Sequence, residues 1–238
     1  MKITLLDVAG FEPAIRAMRL PMKSGEKSDS EERYCALDYM AETSCPWKVS
    51  KVNYCRRSHE CVKYLECYQI GEKDRDLSLK LCTAGSDHRK HIRLIDAWME
   101  ITAPLYWWKE FDTYRMGVDK VSESTMHTLM KKPLTVEDFE AGPGTPAWWY
   151  LTQSDETAYD PRSTIEWLNT LIKKEDFEAL NAVLPQSYLQ TRICKVSYEA
   201  LRNMYSARKN HKLKEWRQFC EWMEKLPYSE FIIGERPL

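Results

Sequence analysis

Ala103-Pro104 is where this 238-residue chain has the least freedom. Proline has no amide hydrogen to give to a helix interior or a central strand, and its ring pushes the residue before it into extended backbone. The preceding run, Arg93-Leu94-Ile95-Asp96-Ala97-Trp98-Met99-Glu100-Ile101-Thr102, is therefore predicted as a strand that stops at the proline. At the first turn of a helix the missing hydrogen costs nothing, so Leu105 to Tyr114 is predicted as a helix, with Tyr106, Trp107, Trp108 and Phe111 on one broad face. A strand feeding a helix in this way points to an α+β chain.

Similar punctuation organises the rest. Residues 2–8 carry β-formers in weak alternation and read as a first strand, and Phe11 to Leu20 reads as a helix with Pro13 in its first turn. Met22 to Glu32 is polar enough for a loop. Residues 33–70 have no clean period, and only a helix near 58–68 is placed there. Gly71-Glu72-Lys73-Asp74 opens a short helix through Leu77, Leu79 and Leu81 that Gly85 stops. The breaker run Ala141-Gly142-Pro143-Gly144-Thr145-Pro146 reads as a loop inside one domain spanning 1–238. Asp160-Pro161-Arg162-Ser163 caps a helix over 164–174, a second helix ends at Pro185, and 192–208 and 212–226 are predicted as two further amphipathic helices. The second half is thus mainly helical.

Charge narrows the function classes. Lysine plus arginine (35) nearly balances aspartate plus glutamate (36), so the chain has no net field to hold it on nucleic acid or an anionic membrane. The aromatics and the basic stretch Arg208-Lys209-Asn210-His211-Lys212-Leu213-Lys214 are what a nucleic-acid partner would use, but with net charge near zero no nucleic-acid partner is expected. No apolar run approaches the ~20 residues that span a bilayer, and the N-terminal residues lack the apolar stretch of a signal peptide, so a cytoplasmic protein without membrane contact is expected. Nine Trp and thirteen Tyr supply core area, and such residues are also enriched at ligand and subunit interfaces. Among the eight cysteines, Cys45, Cys55, Cys61 and Cys67 cluster near His59. A zinc site and buried free thiols are the two readings. The absence of a C-x2-C pair favours thiols, and no metal is expected.

No Walker loop, G-x-G-x-x-G, H-E-x-x-H or G-x-S-x-G is present. What remains are local constellations. Tyr114-Arg115 is followed by Ser122-Glu123-Ser124, which offers hydroxyls and a carboxylate in a turn, or else a helix cap ahead of Met126 to Met130. Asn203 and Arg208 are five residues apart on a helix, about 140° around its axis, and reach different parts of one elongated ligand. An arginine fork suits phosphate, and an asparagine meets both edges of a heterocycle.

At these residues the chain resembles the flavin-dependent thymidylate synthases (ThyX). Ala103-Pro104-Leu105-Tyr106-Trp107-Trp108-Lys109-Glu110-Phe111-Asp112-Thr113-Tyr114-Arg115 is similar to the family's A-P-x-F-x-x-R-Q-W-x-R-H-R, ungapped and ending on the same arginine. Val183-Leu184-Pro185 and Ser197-Tyr198-Glu199-Ala200-Leu201-Arg202-Asn203-Met204-Tyr205-Ser206-Ala207-Arg208 follow its V-L-P and N-A-R-S-L-x-N-F-x-x-L-R with the spacing kept. Weaker similarity covers Met1 to Arg19 and Ile70 to Gly85, and leaves a family-atypical insertion at about 30–68.

The resemblance implies a small antiparallel sheet with a helical second half, a homotetramer, and FAD-dependent reductive methylation of a pyrimidine nucleotide, dUMP to dTMP or a variant, with NADPH and methylenetetrahydrofolate. It places Arg115 and Asn203 against FAD, with Ser197 and His91 at the cofactor, and Arg208 at the nucleotide's phosphate with Ser122 beside it. Ser124, reached by about one inserted residue relative to S-x-N-E-x-S-x-R-Y, takes the place of the family's serine, with Glu123 before it. The departures matter as much. Ser197 and Glu199 replace an asparagine and an arginine that bind flavin, Asn181 replaces an arginine, and Met126 stands where an arginine meets dUMP. A carboxylate at 199 would repel a flavin pyrophosphate unless a basic residue such as Arg202 or Arg192 intervenes. These replacements favour the alternative, a catalytically silent ThyX-fold protein that binds a nucleotide or serves as a structural module.

Overall fold

The computed structural model describes residues 1–34, 66–143, 146–153 and 162–235. It opens with strand β1 (Lys2–Ala9) and helix α1 (Phe11–Arg19), followed by β2 (Glu31–Tyr34), β3 (Glu66–Gln69) and α2 (Glu72–Ala84). A 3-10 turn, Lys90–Leu94, leads into β4 (Asp96–Pro104) and α3 (Leu105–Phe111), and β5 (Val118–Ser122) and α4 (Thr125–Thr128) come next. The second half holds α5 (Pro146–Thr152), α6 (Thr164–Lys173), α7 (Phe177–Val183), β6 (Leu189–Ser197), α8 (Tyr198–Arg208), α9 (Lys214–Met223) and α10 (Glu230–Ile233). β1-β4-β6-β5 form a small antiparallel sheet, and β2 pairs with β3 in a separate two-stranded one, with Glu31 opposite Gln69.

β4 shows why the sequence chose a strand before Pro104. Ala97, Met99, Ile101 and Ala103 are fully buried and alternate with half-buried neighbours, the period of two that puts one side of a strand into a core. Pro104 is still extended, and α3 begins at the next residue as predicted. Trp107, Trp108 and Phe111 are buried with ring centroids 4.9–5.4 Å apart, and the Trp108 indole Nε1 donates to the Gln190 carbonyl at 3.0 Å, which satisfies the polar tip of that ring.

Two expectations are corrected. Residues 192–197 are not helical: they complete β6, because Thr191, Ile193 and Val196 are β-branched and favour a pleated surface, and the helix starts only at Tyr198. Of the helix placed near 58–68, residues 66–68 lie in β3, where they pair with Glu32 to Tyr34, and 58–65 lie outside the described residues. Within Met22 to Glu32 the chain makes a short 3-10 turn, Gly25–Lys27, before β2 begins at Glu31.

The chain divides into two compact units, each made of several segments. One comprises Met1–Thr4, Glu100–Arg115 and Lys120–Cys194. Its helical part packs around Leu129, Leu134, Phe139, Leu151, Leu168, Leu180, Leu184 and Tyr188. Ser163 begins α6 with a reciprocal capping box to Glu166, which fits the predicted start. The other comprises Leu5–Met99, Met116–Asp119 and Lys195–Leu238. In it Asp29 caps α2 from a distance, accepting from the backbone amides of Lys73 (2.9 Å) and Asp74 (3.1 Å). Gly71 is required by that approach, since a Cβ there would sit 2.3 Å from Asp29. The buried Asp74 carboxylate accepts from Ser28 (2.5 Å), Ser30 (2.6 Å) and Arg19 Nε (2.5 Å). Burial raises its pKa, but these bonds outweigh burial and hold it below the usual value.

Candidate functional site

The residues singled out from the sequence fall in both units. In the first, Arg115 is exposed on the turn that precedes β5. Ser122, Glu123 and Ser124 are also exposed, but their backbone is fixed: Glu123 N donates to the Thr191 carbonyl (3.0 Å), and its own carbonyl accepts from Gln190 Nε2 (3.1 Å). Ser124 stands at the N-cap of α4 with its hydroxyl making no cap bond, while its carbonyl accepts from the Thr128 hydroxyl at 2.7 Å. Among the described residues no histidine or carboxylate hydrogen-bonds the Ser124 hydroxyl. A base to activate it has to come from outside the described residues.

Arg192, one of the two basic residues expected to answer Glu199, is committed within the same unit. Its Nε donates to Gln190 Oε1 and its Nη1 to Asp112, both at 2.9 Å, and its guanidinium lies 4.2 Å from the centre of the Trp108 ring. Lys120 shares Asp112 at 2.6 Å.

In the second unit α8 carries the other candidates. Its first turn is set by Ser197, whose buried hydroxyl accepts from Ala200 N (3.3 Å) and whose amide donates to the Gly117 carbonyl (2.8 Å). Gly117 has φ 69°, and a Cβ on it would lie 2.3 Å from the Ser197 hydroxyl, so glycine is needed there twice over. Glu199 follows, 8% exposed. Its carboxylate is gripped by Arg93, through Nε and, at 3.4 Å, through Nη2, and it also lies 3.4 Å from Arg89 Nε. Hydrogen bonding to Glu199 raises the Arg93 pKa further. One turn on, Asn203 is exposed and accepts through Oδ1 from Arg89 Nη2 at 3.0 Å. At the end of the helix Arg208 lies 4.8 Å over the Trp216 ring, with Nη1 2.8 Å from His211 Nε2.

Arg202, the other residue expected to offset Glu199, does not do so. Its Nη1 donates to the carbonyls of Phe231 (3.0 Å) and Ile232 (3.3 Å) and so closes the end of α10. The residues against Glu199 are Arg89 and Arg93, which the sequence reading missed. The signal was present as the run Arg89-Lys90-His91-Ile92-Arg93, in which the two arginines are four apart, but the pairing is 106 residues long-range for Arg93.

His91 lies between those arginines in sequence and is 4% exposed. Its Nε2 is 2.7 Å from the Ser78 hydroxyl, and its Nδ1 has no hydrogen-bond partner among the described residues. Burial pushes its pKa down to about 4, so the ring is neutral at pH 7. Cys82, Cys194 and Cys220 are buried free thiols, pushed up to about 11, 11 and 12 by burial. Among the described residues no group of His, Cys, Asp and Glu is arranged to hold a metal ion. Cys45, Cys55, Cys61 and His59 lie outside them. No described helix is long and apolar enough to cross a membrane.

No family model matches the sequence, and no curated protein matches it. Solved structures do match the fold. The flavin-dependent thymidylate synthase ThyX from Helicobacter pylori, complexed with FAD and dUMP, is 16% identical with a TM-score of 0.62, over 99% of this chain and 98% of that one. A second structure of that enzyme with FAD and dUMP gives 15% and 0.61, over 99% and 97%. A UMP/dUMP methylase, PolB from Streptomyces cacaoi, bound with 5-Br dUMP, is 14% identical with a TM-score of 0.55, over 96% and 92%. The chain has the ThyX fold, as the two sequence motifs implied.

Proposed function

We propose that this protein is a ThyX-like flavoprotein that binds FAD and a pyrimidine nucleotide and methylates the nucleotide reductively, dUMP to dTMP or a variant substrate, with NADPH and methylenetetrahydrofolate as co-substrates. The observation that carries the reading is the match of fold over nearly the whole length of ThyX structures solved with FAD and dUMP, in a chain that retains Arg115, Asn203 and Arg208 at the family's motif positions. The residues present fit an anionic dinucleotide. Glu199, the replacement most hostile to a pyrophosphate, is neutralised by Arg89 and Arg93, and Asn203 stands exposed beside them.

In this reading Arg115 and Asn203 lie against the flavin and Arg208 holds the nucleotide's phosphate. Trp216 beneath the Arg208 guanidinium limits its rotamers, so less freedom is lost when it binds an anion. Ser197 contributes by fixing the first turn of α8. His91, neutral and tied to Ser78, sets the turn that carries Arg89 and Arg93 near the cofactor. Ser122 serves the nucleotide, and Ser124 and Glu123 stand at the reacting base. A bound flavin supplies the hydride, while the protein supplies position and electrostatics. One domain spanning 1–238 with an insertion at about 30–68, a homotetramer and a cytoplasmic location belong to the same reading. Sedimentation of the purified protein at four times the chain mass checks the assembly.

The test is an absorption spectrum of the purified protein, followed by FAD titration with thermal unfolding. Bound flavin, or a rise in Tm at saturating FAD, is expected. Colourless protein that FAD does not stabilise would overturn the reading. The second reading, a catalytically silent relative, is favoured by the Ser124 hydroxyl having no base among the described residues and by Met126 standing where the family has an arginine. Tritium release from C5-labelled dUMP with FAD and NADPH present would end that alternative.

A further inference from the structure

The cluster formed by Arg89, Arg93, Glu199 and Asn203 has more donors than its own carboxylate can use. Guanidinium groups only donate, so Asn203 must turn its amide oxygen to Arg89. Its NH2 then points away from Arg89, on a side chain that is exposed. Arg93 uses Nε and Nη2 on Glu199, and its side chain is 51% exposed. Arg89 Nε is buried within 3.4 Å of Glu199, but without the alignment of a hydrogen bond, and it has no other partner among the described residues. Two guanidinium groups share one carboxylate, leaving a net positive charge at the first turns of α8, where the helix dipole adds to it. Asp87 also acts on Arg93, but more weakly than Glu199 does.

We infer that Arg89, Arg93 and Asn203 form an oxyanion-binding platform for the pyrophosphate of the cofactor, with Glu199 as the internal counter-ion that holds both arginines in place. This rests on the flavoprotein reading. A structural ion pair alone would need one arginine and would not leave the amide of Asn203 and half of the Arg93 side chain facing solvent. A phosphate ester meets all three groups with charge-assisted bonds, and Arg93 is the member with most to gain because its outer face is not shared with Glu199. Glu199 here keeps the two arginines from repelling each other when no ligand is bound.

The experiment compares FAD with riboflavin, which has the same ring system and no phosphate, by quenching of flavin fluorescence in the wild type, Arg93→Ala, Arg93→Lys and Arg89→Ala. Arg93→Ala is expected to weaken FAD at least tenfold and leave riboflavin unchanged, with Arg93→Lys recovering part of the loss. Arg89→Ala should also weaken FAD while leaving riboflavin unchanged, and its far-UV circular dichroism checks that it is folded. FAD affinity unchanged in Arg93→Ala, or equal losses for FAD and riboflavin, would overturn the inference while leaving the flavoprotein reading intact. Failure of the wild type to bind FAD would instead overturn that reading. In that event inorganic pyrophosphate decides the platform: a rise in Tm that Arg93→Ala abolishes upholds it, and no rise in the wild type rejects it.

Discussion

The turn Ser122-Glu123-Ser124 and the cluster around Glu199 each present a carboxylate beside polar partners, and they are built in opposite ways. Glu123 and its flanking serines are exposed, with only the backbone fixed against β6. Glu199 is buried, and its carboxylate has two arginines brought to it from the 3-10 turn before β4. An exposed carboxylate is free to meet a ligand and contributes little to the fold. A buried one is bound up in the fold, and what it offers a ligand is the arrangement of its partners. Glu199, which by charge alone would repel an anionic ligand, is in three dimensions the residue that gathers two arginines.

The comparison breaks most sharply on removal of each carboxylate. Glu199→Ala leaves two arginines facing each other, one of them mostly covered, and is expected to cost about 3 kcal/mol in urea unfolding, at the low end for a broken buried pair because Arg93 stays half in water. Glu123→Ala is expected within about 0.5 kcal/mol of wild type. Equal effects would mean that burial does not separate the two sites.

A second prediction sharpens the buried side through its histidine. His91 has a folded pKa of about 4 against an ordinary 6.5, so the unfolded chain takes up the proton first as pH falls. Stability from this group is complete above about pH 7, declines as pH drops from 6.5 to 4, and is lost by about 3 kcal/mol at the lower end. His91→Gln should flatten that part of the profile. Identical slopes in the variant and the wild type between pH 6.5 and 4 would remove the histidine from the account.

How much of this was legible beforehand follows the range of the interactions. Pro104, Gly85 and Ser163 mark their boundaries through local backbone chemistry, and the elements beside them were read from the sequence alone. β6 was missed because Leu189 to Ser197 runs straight into a helix without a breaker: the switch at Ser197 is made by a bond to Gly117, 80 residues away, which local pattern cannot carry. The same holds at the site. Arg115, Asn203 and Arg208 are candidates from motif position alone, whereas the pairing of Arg89 and Arg93 with Glu199 became visible only when the fold brought the Lys90–Leu94 turn to α8. Arg192 and Arg202 had the right charge but were engaged elsewhere, with Asp112 and with the carbonyls of α10. Charge could be read from the sequence; its assignment to a partner could not.

The smaller effects concern the serines, where the two regions again part. Ser197→Ala removes the cap of α8 and leaves the Ala200 amide without its acceptor, for a loss of about 1 kcal/mol by urea unfolding. Because the first turn of α8 also carries Glu199, flavin affinity should fall with it. A variant as stable as the wild type would show that the cap bond contributes nothing.

Ser124→Ala is the smallest change in stability and the most informative for function. The hydroxyl makes no cap bond and is exposed, so the folded state loses nothing that can be measured, within about 0.5 kcal/mol. Any loss of tritium release from dUMP in this variant is then a loss at the reacting base rather than a consequence of unfolding. If Ser124 stands at that base, activity falls at least tenfold while flavin binding and Tm remain those of the wild type. If activity is unchanged, the turn is only an exposed connection between β5 and α4. The chemistry would then have to lie with α8 and the arginines that Glu199 gathers there.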